Sequence, residues 1–143
     1  ALVPDSCGAG EYRGGLGIAR SYRLLAKEAG LQLRADRMKI KPYGLAGGEP
    51  ADAAVNEIFL HSGGKVDLPS KINRRVERDD LVRHVQPGGG GFGDPVQRNP
   101  ERVAYDVWNT KITAEYVRAY HKVVVDPETG ALDAKATAAL RAE

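Results

Sequence analysis

Over roughly the first hundred residues, hydrophobic and polar positions alternate in twos. Leu16, Ile18, Tyr22 and Leu24 fall on one face of a candidate strand that is interrupted at Arg20, and Leu31, Leu33 and Ala35 begin a second. Period-two alternation of this kind predicts half-buried β-strands. Met38 and Ile40 continue with the opposite parity, which predicts a bulge or bend at Asp36 and Arg37. Shorter strands are expected at residues 55–60, 66–68 and 81–85. Gly47-Gly48-Glu49-Pro50 and Ser62-Gly63-Gly64 supply turns between them.

The rhythm then changes to that of helices. Asn99-Pro100-Glu101 offers an N-cap, a proline at the first helical position and an early acid, so a helix is expected at about 100–109. Val103 with Val107, and Ala104 with Trp108, recur at i,i+4 and define its buried face, which makes Trp108 a core residue. Thr113 caps a second helix carrying Val117 and Tyr120. Asp126-Pro127-Glu128-Thr129-Gly130 reads as a turn. Asp133 caps a last helix to about Ala142, with Ala136, Ala139 and Leu140 inward. The predicted class is α+β: mainly an antiparallel sheet or barrel over about 1–95, followed by a small helical segment over about 99–143. The regions 1–98 and 99–143 are expected to form one compact unit.

Glycine is the outlier in composition, at 17 of 143 residues, about 12% against a typical ~7%. Five lie between Gly8 and Gly17 and five between Gly88 and Gly93. In the loop Pro87–Pro95, Gly88, Gly89, Gly90 and Gly91 precede Phe92, Gly93 and Asp94. Such a run can form a nest of N–H groups for an anion, or a tight turn pressed on another segment with Phe92 as apolar anchor. In the other loop Gly14 and Gly15 follow Arg13, which can grip a carboxylate or phosphate, or make a salt bridge between regions. The candidate substrate- or anion-binding residues are therefore Arg13, Gly14, Gly15, Gly88, Gly89, Gly90, Gly91 and Asp94. Neither loop has the Rossmann spacing, and neither supplies the Gly-Lys-Ser/Thr of a P-loop.

Other chemistry is sparse. The net charge of +2, from 21 basic and 19 acidic residues, argues against nucleic acid. The strongest basic run, Arg74, Arg75 and Arg78, is followed at once by Asp79 and Asp80. One cysteine, Cys7, excludes an internal disulfide and reads as a small buried residue rather than a nucleophile. His61, His84 and His121 lack metal-ligand spacing and read as surface or strand residues. No apolar run approaches the ~20 residues of a membrane span, and a cytoplasmic setting is expected. The chain opens at Ala1 without Met, in the manner of a processed product, a fragment or a trimmed subunit.

Five blocks in order carry a resemblance: PDSCGAGEYRGGLG, KPYGLAGG (41–48), LPSK (68–71), PGGGGFGDP with QRNPERVAYDV after it, and the tail at 123–143. Together they resemble the C-terminal part of hydantoinase B/oxoprolinase family subunits over essentially the whole chain. The resemblance implies ATP-dependent chemistry on hydantoins, 5-oxoproline or related lactams. It also implies ATP and Mg on a hydantoinase A-type partner, the remainder of a B-type subunit as a further partner, and a hetero-oligomer. Ketone carboxylases made of the same two components, and a non-catalytic assembly module, remain open. Metal ligands of the family's metal-dependent members lie upstream of the matching segment, so none is carried over, and catalytic residues stay unassigned. Cys7 stands where the family usually has glycine or another small residue, and Phe92 where it often has Tyr. Arg83-His84-Val85-Gln86 departs from its acidic, threonine-containing pattern.

Overall fold

The computed structural model describes residues 1–142. Glu143, which falls in the expected helical region, lies outside the described residues. Seven strands come first: β1 (Leu2–Val3), β2 (Gly17–Arg23), β3 (Glu28–Arg34), β4 (Val55–Phe59), β5 (Lys65–Asp67), β6 (Lys71–Glu77) and β7 (Leu81–Val85). A single 3-10 turn, Pro95–Gln97, precedes three helices, α1 (Pro100–Trp108), α2 (Ala114–His121) and α3 (Ala134–Arg141). The class is α+β. All strand pairs are antiparallel, in a five-stranded sheet of order β1-β2-β7-β4-β5 and a two-stranded ribbon of β3 with β6.

The ribbon continues the β2–β7 ladder. Arg23 is opposite Leu81 in one, and Glu28 opposite Glu77 in the other. Between them residues 24–27 face residues 78–80, four against three, so the ladder bulges and the ribbon bends. Hydrogen bonds from Leu24 N to Asp80 O, Asp79 N to Leu24 O and Arg78 N to Lys27 O bridge the bend at 3.0, 2.8 and 3.0 Å. The bend lays Leu31, Leu33 and Val76 over Ile58, Leu68 and Val82, which form one apolar cluster. Strand β6 lies between the expected strands at 66–68 and 81–85, where none was expected. Lys71, Asn73, Arg75 and Glu77 face solvent while Ile72, Arg74 and Val76 face inward.

The helices build the second cluster, in which Val103, Ala104, Val107, Ile112, Val117, Val123 and Val125 pack with Cys7. Their starts follow from their caps. The Asn99 side chain accepts from Glu101 N at 2.8 Å, Thr113 from Tyr116 N at 3.1 Å, and Asp133 from Ala136 N at 2.9 Å. Two inward assignments are corrected. Trp108 is 67% exposed, and the other flanking position of the helix, Asp106, is buried instead. In α3 Thr137 is buried where Ala139 was expected, because its hydroxyl accepts from Val124 N at 3.0 Å. The predicted bend at Asp36 and Arg37 is present: β3 ends at Arg34 and Arg37 takes a φ of 61°.

Candidate functional site

Three loops interleave at one end of the sheet: residues 4–17, 41–52 and 86–95. Gly8 N donates to Gly89 O at 2.8 Å, Gly89 N to Gly15 O at 2.8 Å, Gly91 N to Glu49 O at 2.9 Å and Glu49 N to Ala9 O at 2.8 Å. Tyr12 and Phe92 exchange N–H···O bonds at 3.0 and 2.9 Å, and Leu45 N bonds Gly91 O at 2.9 Å. The strands of this lattice touch backbone to backbone. A Cβ on Gly14 would lie 1.8 Å from Gly89 O, and one on Gly91 1.8 Å from Ala9 O. No side chain fits such a gap, so the glycines are what let the three loops close together.

The candidate residues are placed as follows. Gly88 is buried against the Ser6 carbonyl, and Gly90 abuts the Tyr43 carbonyl. Gly15 is exposed, with open space where a Cβ would point. Asp94 caps the 3-10 turn, accepting from Val96 N at 2.9 Å. The N–H groups of Gly89, Gly91 and Gly93 are already engaged by backbone carbonyls. Among the described residues no group of three or more His, Cys, Asp or Glu could hold a metal ion.

Arg13 reaches out of this lattice to helix α1. Its Nε and Nη2 donate to Oδ2 and Oδ1 of Asp106 at 2.7 and 3.0 Å, and its Nη1 to Gly14 O at 2.9 Å. Arg98 Nη2 donates to the same Oδ2 at 3.0 Å while its Nη1 holds Glu11 O at 2.9 Å, and Lys111 Nζ lies 3.3 Å from Oδ1. Burial by itself pushes the Asp106 carboxyl up. The hydrogen bond and charge of Arg13, joined by Lys111 and Arg98, overcome burial and hold it below the ordinary carboxylate range. One buried carboxylate thus gathers three cations and ties the first glycine loop to the helices. Sequence reasoning found Arg13 and missed Asp106, Arg98 and Lys111. The available signal was an acid beside the apolar stripe of a helix that has basic residues before and after it.

The loops carry an apolar outer face. Phe92, the apolar anchor in the tight-turn reading of its loop, is 52% exposed, its ring 6.4 Å from that of Tyr12. Leu45 and Tyr43 are exposed beside it. The backbone of Phe92 does the anchoring, through its bridges to Tyr12 and Leu45. Cys7 is buried, its thiol pushed up by that burial, and its carbonyl accepts from Tyr116 OH at 2.7 Å. Of the histidines, His61 is exposed and His84 lies in β7. His121, expected at the surface or in a strand, is fully buried at the end of α2, where the helical cluster closes over it.

Comparison with known proteins fits this architecture. A model of the family described as hydantoinase B/oxoprolinase matches residues 1–95. An uncharacterized protein of Methanocaldococcus jannaschii is 37% identical over 87% of this chain and 22% of its own length. The B subunit of a putative D-/L-hydantoinase from Pseudomonas sp. is 32% identical over 81% of this chain and 20% of its own. The crystal structure of the ATP-dependent caprolactamase from Pseudomonas jessenii superposes with a TM-score of 0.84 at 31% identity, covering 100% of this chain and 25% of that one. The chain therefore spans about a fifth of the length of the curated relatives it matches. On the family match and these identities, the chain belongs to the hydantoinase B/oxoprolinase family.

Proposed function

We propose that the chain is the carboxyl-terminal portion, or a separate small subunit, of an ATP-dependent hydrolase of cyclic amides such as hydantoins, 5-oxoproline or related lactams. The likeness to caprolactamase over the whole chain carries this reading. In it, ATP and Mg are held by a hydantoinase A-type partner in a cytoplasmic hetero-oligomer, and the chain alone turns over no substrate. The loop lattice braces the site rather than performing the bond-breaking step. Its interleaved glycines fix three chain segments at contact distance, and the Arg13–Asp106 pair locks them to the helices. Such rigid support is what holds reacting groups to within a fraction of an ångström elsewhere in an assembly. Gly15 and the rings of Tyr12 and Phe92, all exposed, are the parts of the lattice left to face a ligand or the remainder of the larger protein.

Co-expression with the A-type partner and the remainder of the B-type subunit, followed by an ATPase assay with hydantoin, 5-oxoproline and caprolactam, tests the reading. Lactam-dependent ATP hydrolysis is expected. ATP use that instead requires bicarbonate and a ketone assigns the chain to a carboxylase, and neither activity from an assembled complex refutes both. An Arg13→Ala complex that assembles poorly but keeps normal turnover per assembled site marks the lattice as a brace alone.

A further inference from the structure

Where the β3–β6 ribbon ends and the chain turns back at Arg37, a cavity of about 390 Å³ opens, with Arg34, Asp36, Arg37, His84, Gln86 and Pro87 in its wall. That volume is within the ~300–1,000 Å³ of small-molecule pockets. Arg20 is the cross-strand partner of His84, so its side chain stands on the same face of the sheet. Two guanidinium-bearing residues, Arg34 and Arg37, therefore line a cavity with one carboxylate, that of Asp36, and Arg20 stands on the sheet face beside His84. Among the described residues none of Arg20, Arg34 and Arg37 makes an ion pair. Arg34 places Nη1 on the carbonyls of Leu33 and Ile72 at 2.7 and 3.5 Å, which leaves Nε and Nη2 without a protein acceptor. Arg37 lies 5.9 Å over the Tyr43 ring. Its left-handed backbone, φ 61°, is one that a residue with a side chain rarely adopts.

His84 adds a defined acceptor. Its Nδ1 is bonded to Oδ1 of the buried Asn56, whose Nδ2 donates to Met38 Sδ at 3.1 Å. That second bond sets the amide so that Oδ1 accepts, which puts the ring hydrogen on Nδ1 and a lone pair on Nε2. Burial, and then the charge of Arg20, push the pKa of the ring below its ordinary value.

We infer that this cavity binds a small oxyanion, a carboxylate or phosphate group of a ligand, on the guanidiniums of Arg34 and Arg37 with Arg20 adding charge and His84 Nε2 accepting from a neighbouring donor. Like charges crowded around one space repel, and an anion between them relieves the repulsion while gaining charge-assisted hydrogen bonds. A planar guanidinium suits both oxyanions. The site uses none of the glycine-loop candidates and stands whether or not the chain serves a cyclic-amide hydrolase.

The test is titration of the 143-residue chain with inorganic phosphate and, separately, malonate at constant ionic strength, followed by amide shifts in an NMR spectrum. Saturable shifts centred on residues 34–37 and 84–87 are expected. An Arg34→Gln/Arg37→Gln double variant is expected to weaken binding at least about tenfold, and Arg118→Gln on the outside of α2 to leave it unchanged. Saturation by phosphate alone or malonate alone assigns the headgroup, and saturation by both supports the shared chemistry. No saturable shift with either ion, shifts centred elsewhere, or undiminished affinity in the folded double variant overturns the inference. If the double variant does not fold, Arg20→Gln replaces it: binding about threefold weaker supports the site and unchanged binding rejects it.

Discussion

Arg13 and Asp106, 93 residues apart in the chain, meet in a two-point ion pair whose side chains are 17% and 5% exposed. The pair joins a loop that has little regular structure of its own to the last turn of α1. Because Arg98 and Lys111 share the same carboxylate, removing Asp106 leaves several cations facing one another without a counter-charge. Breaking a buried pair from one side costs about 3–5 kcal/mol. Asp106→Ala is expected to fall in that range by urea denaturation. Arg13→Ala should cost less, since Arg98 and Lys111 still neutralise the acid. A double-mutant cycle of the two is expected to return a coupling well above the ~0.2–1 kcal/mol of exposed pairs.

The glycine lattice makes a sharper prediction because neighbouring glycines differ. Gly14 faces the Gly89 carbonyl at contact distance, while Gly15 faces open space and has no left-handed φ. Gly14→Ala and Gly91→Ala are expected to abolish folding or lower stability by several kcal/mol, since a methyl group would have to displace backbone. Gly15→Ala is expected to be neutral or to stabilise by about 0.4–1 kcal/mol through the unfolded chain. Melting temperatures of the three variants decide it, and equal losses at all three would refute the packing account.

These relationships were unevenly legible in the sequence. Helix starts could be read because Asn99, Thr113 and Asp133 act on neighbours within three residues, and local chemistry of that kind survives any tertiary context. The β4–β5 turn was equally plain, since Gly63 and Gly64 both take positive φ. Strand β6 was hidden because only Ile72 and Val76 mark its inner face, with Arg74 between them. The choice between Asp106 and Trp108 could not be made by periodicity. Both flank the Val103–Ala104–Val107 stripe by roughly 100°, at 100° per residue. The cations of Arg13, Arg98 and Lys111 settle it, and Arg13 arrives from a distant loop. The glycine runs announced close approach, but which carbonyl each glycine meets depends on three segments brought together only by the fold.

Asp80 supplies an acid-sensitive joint at the ribbon's bend. Its buried carboxylate accepts from Glu77 N and His61 N at 2.9 Å each, and from His61 Nδ1 at 3.0 Å. The two backbone bonds, more than the histidine, hold its pKa at about 2 against an ordinary 3.8. A carboxyl depressed by folding stabilises fully above its unfolded value and loses that contribution as pH falls through the folded one. Asp80→Ala, which strips the acceptor from two part-buried N–H groups, is expected to cost about 1–3 kcal/mol near neutrality. The gap between the two proteins should close as urea denaturation is repeated from about pH 5 down to about pH 2. A gap that stays constant would show that the carboxylate's charge is irrelevant.

His121 acts in the opposite part of the scale. Its ring is fully buried, with Nδ1 2.9 Å from the Pro95 carbonyl, and Arg141 reaches the His121 carbonyl at 3.1 Å. Burial foremost, with the charges of Arg98 and Arg141, pushes its pKa below the ordinary 6.5, although the Pro95 bond pulls the other way. The folded state therefore binds this proton less readily than the unfolded chain does, so stability rises with pH and falls as pH drops below about 6.5. His84 is lowered as well and acts in the same direction, whereas His61, raised by Asp80, opposes them. The contribution of His121 is thus read by difference. His121→Gln keeps a polar group that cannot ionise; it is expected to be less stable than the natural chain at pH 8 and to lose less stability on going to pH 5. Parallel stability-versus-pH curves for the two would show that His121 is protonated alike in the folded and unfolded chains, and that its burial exerts no pull on the fold.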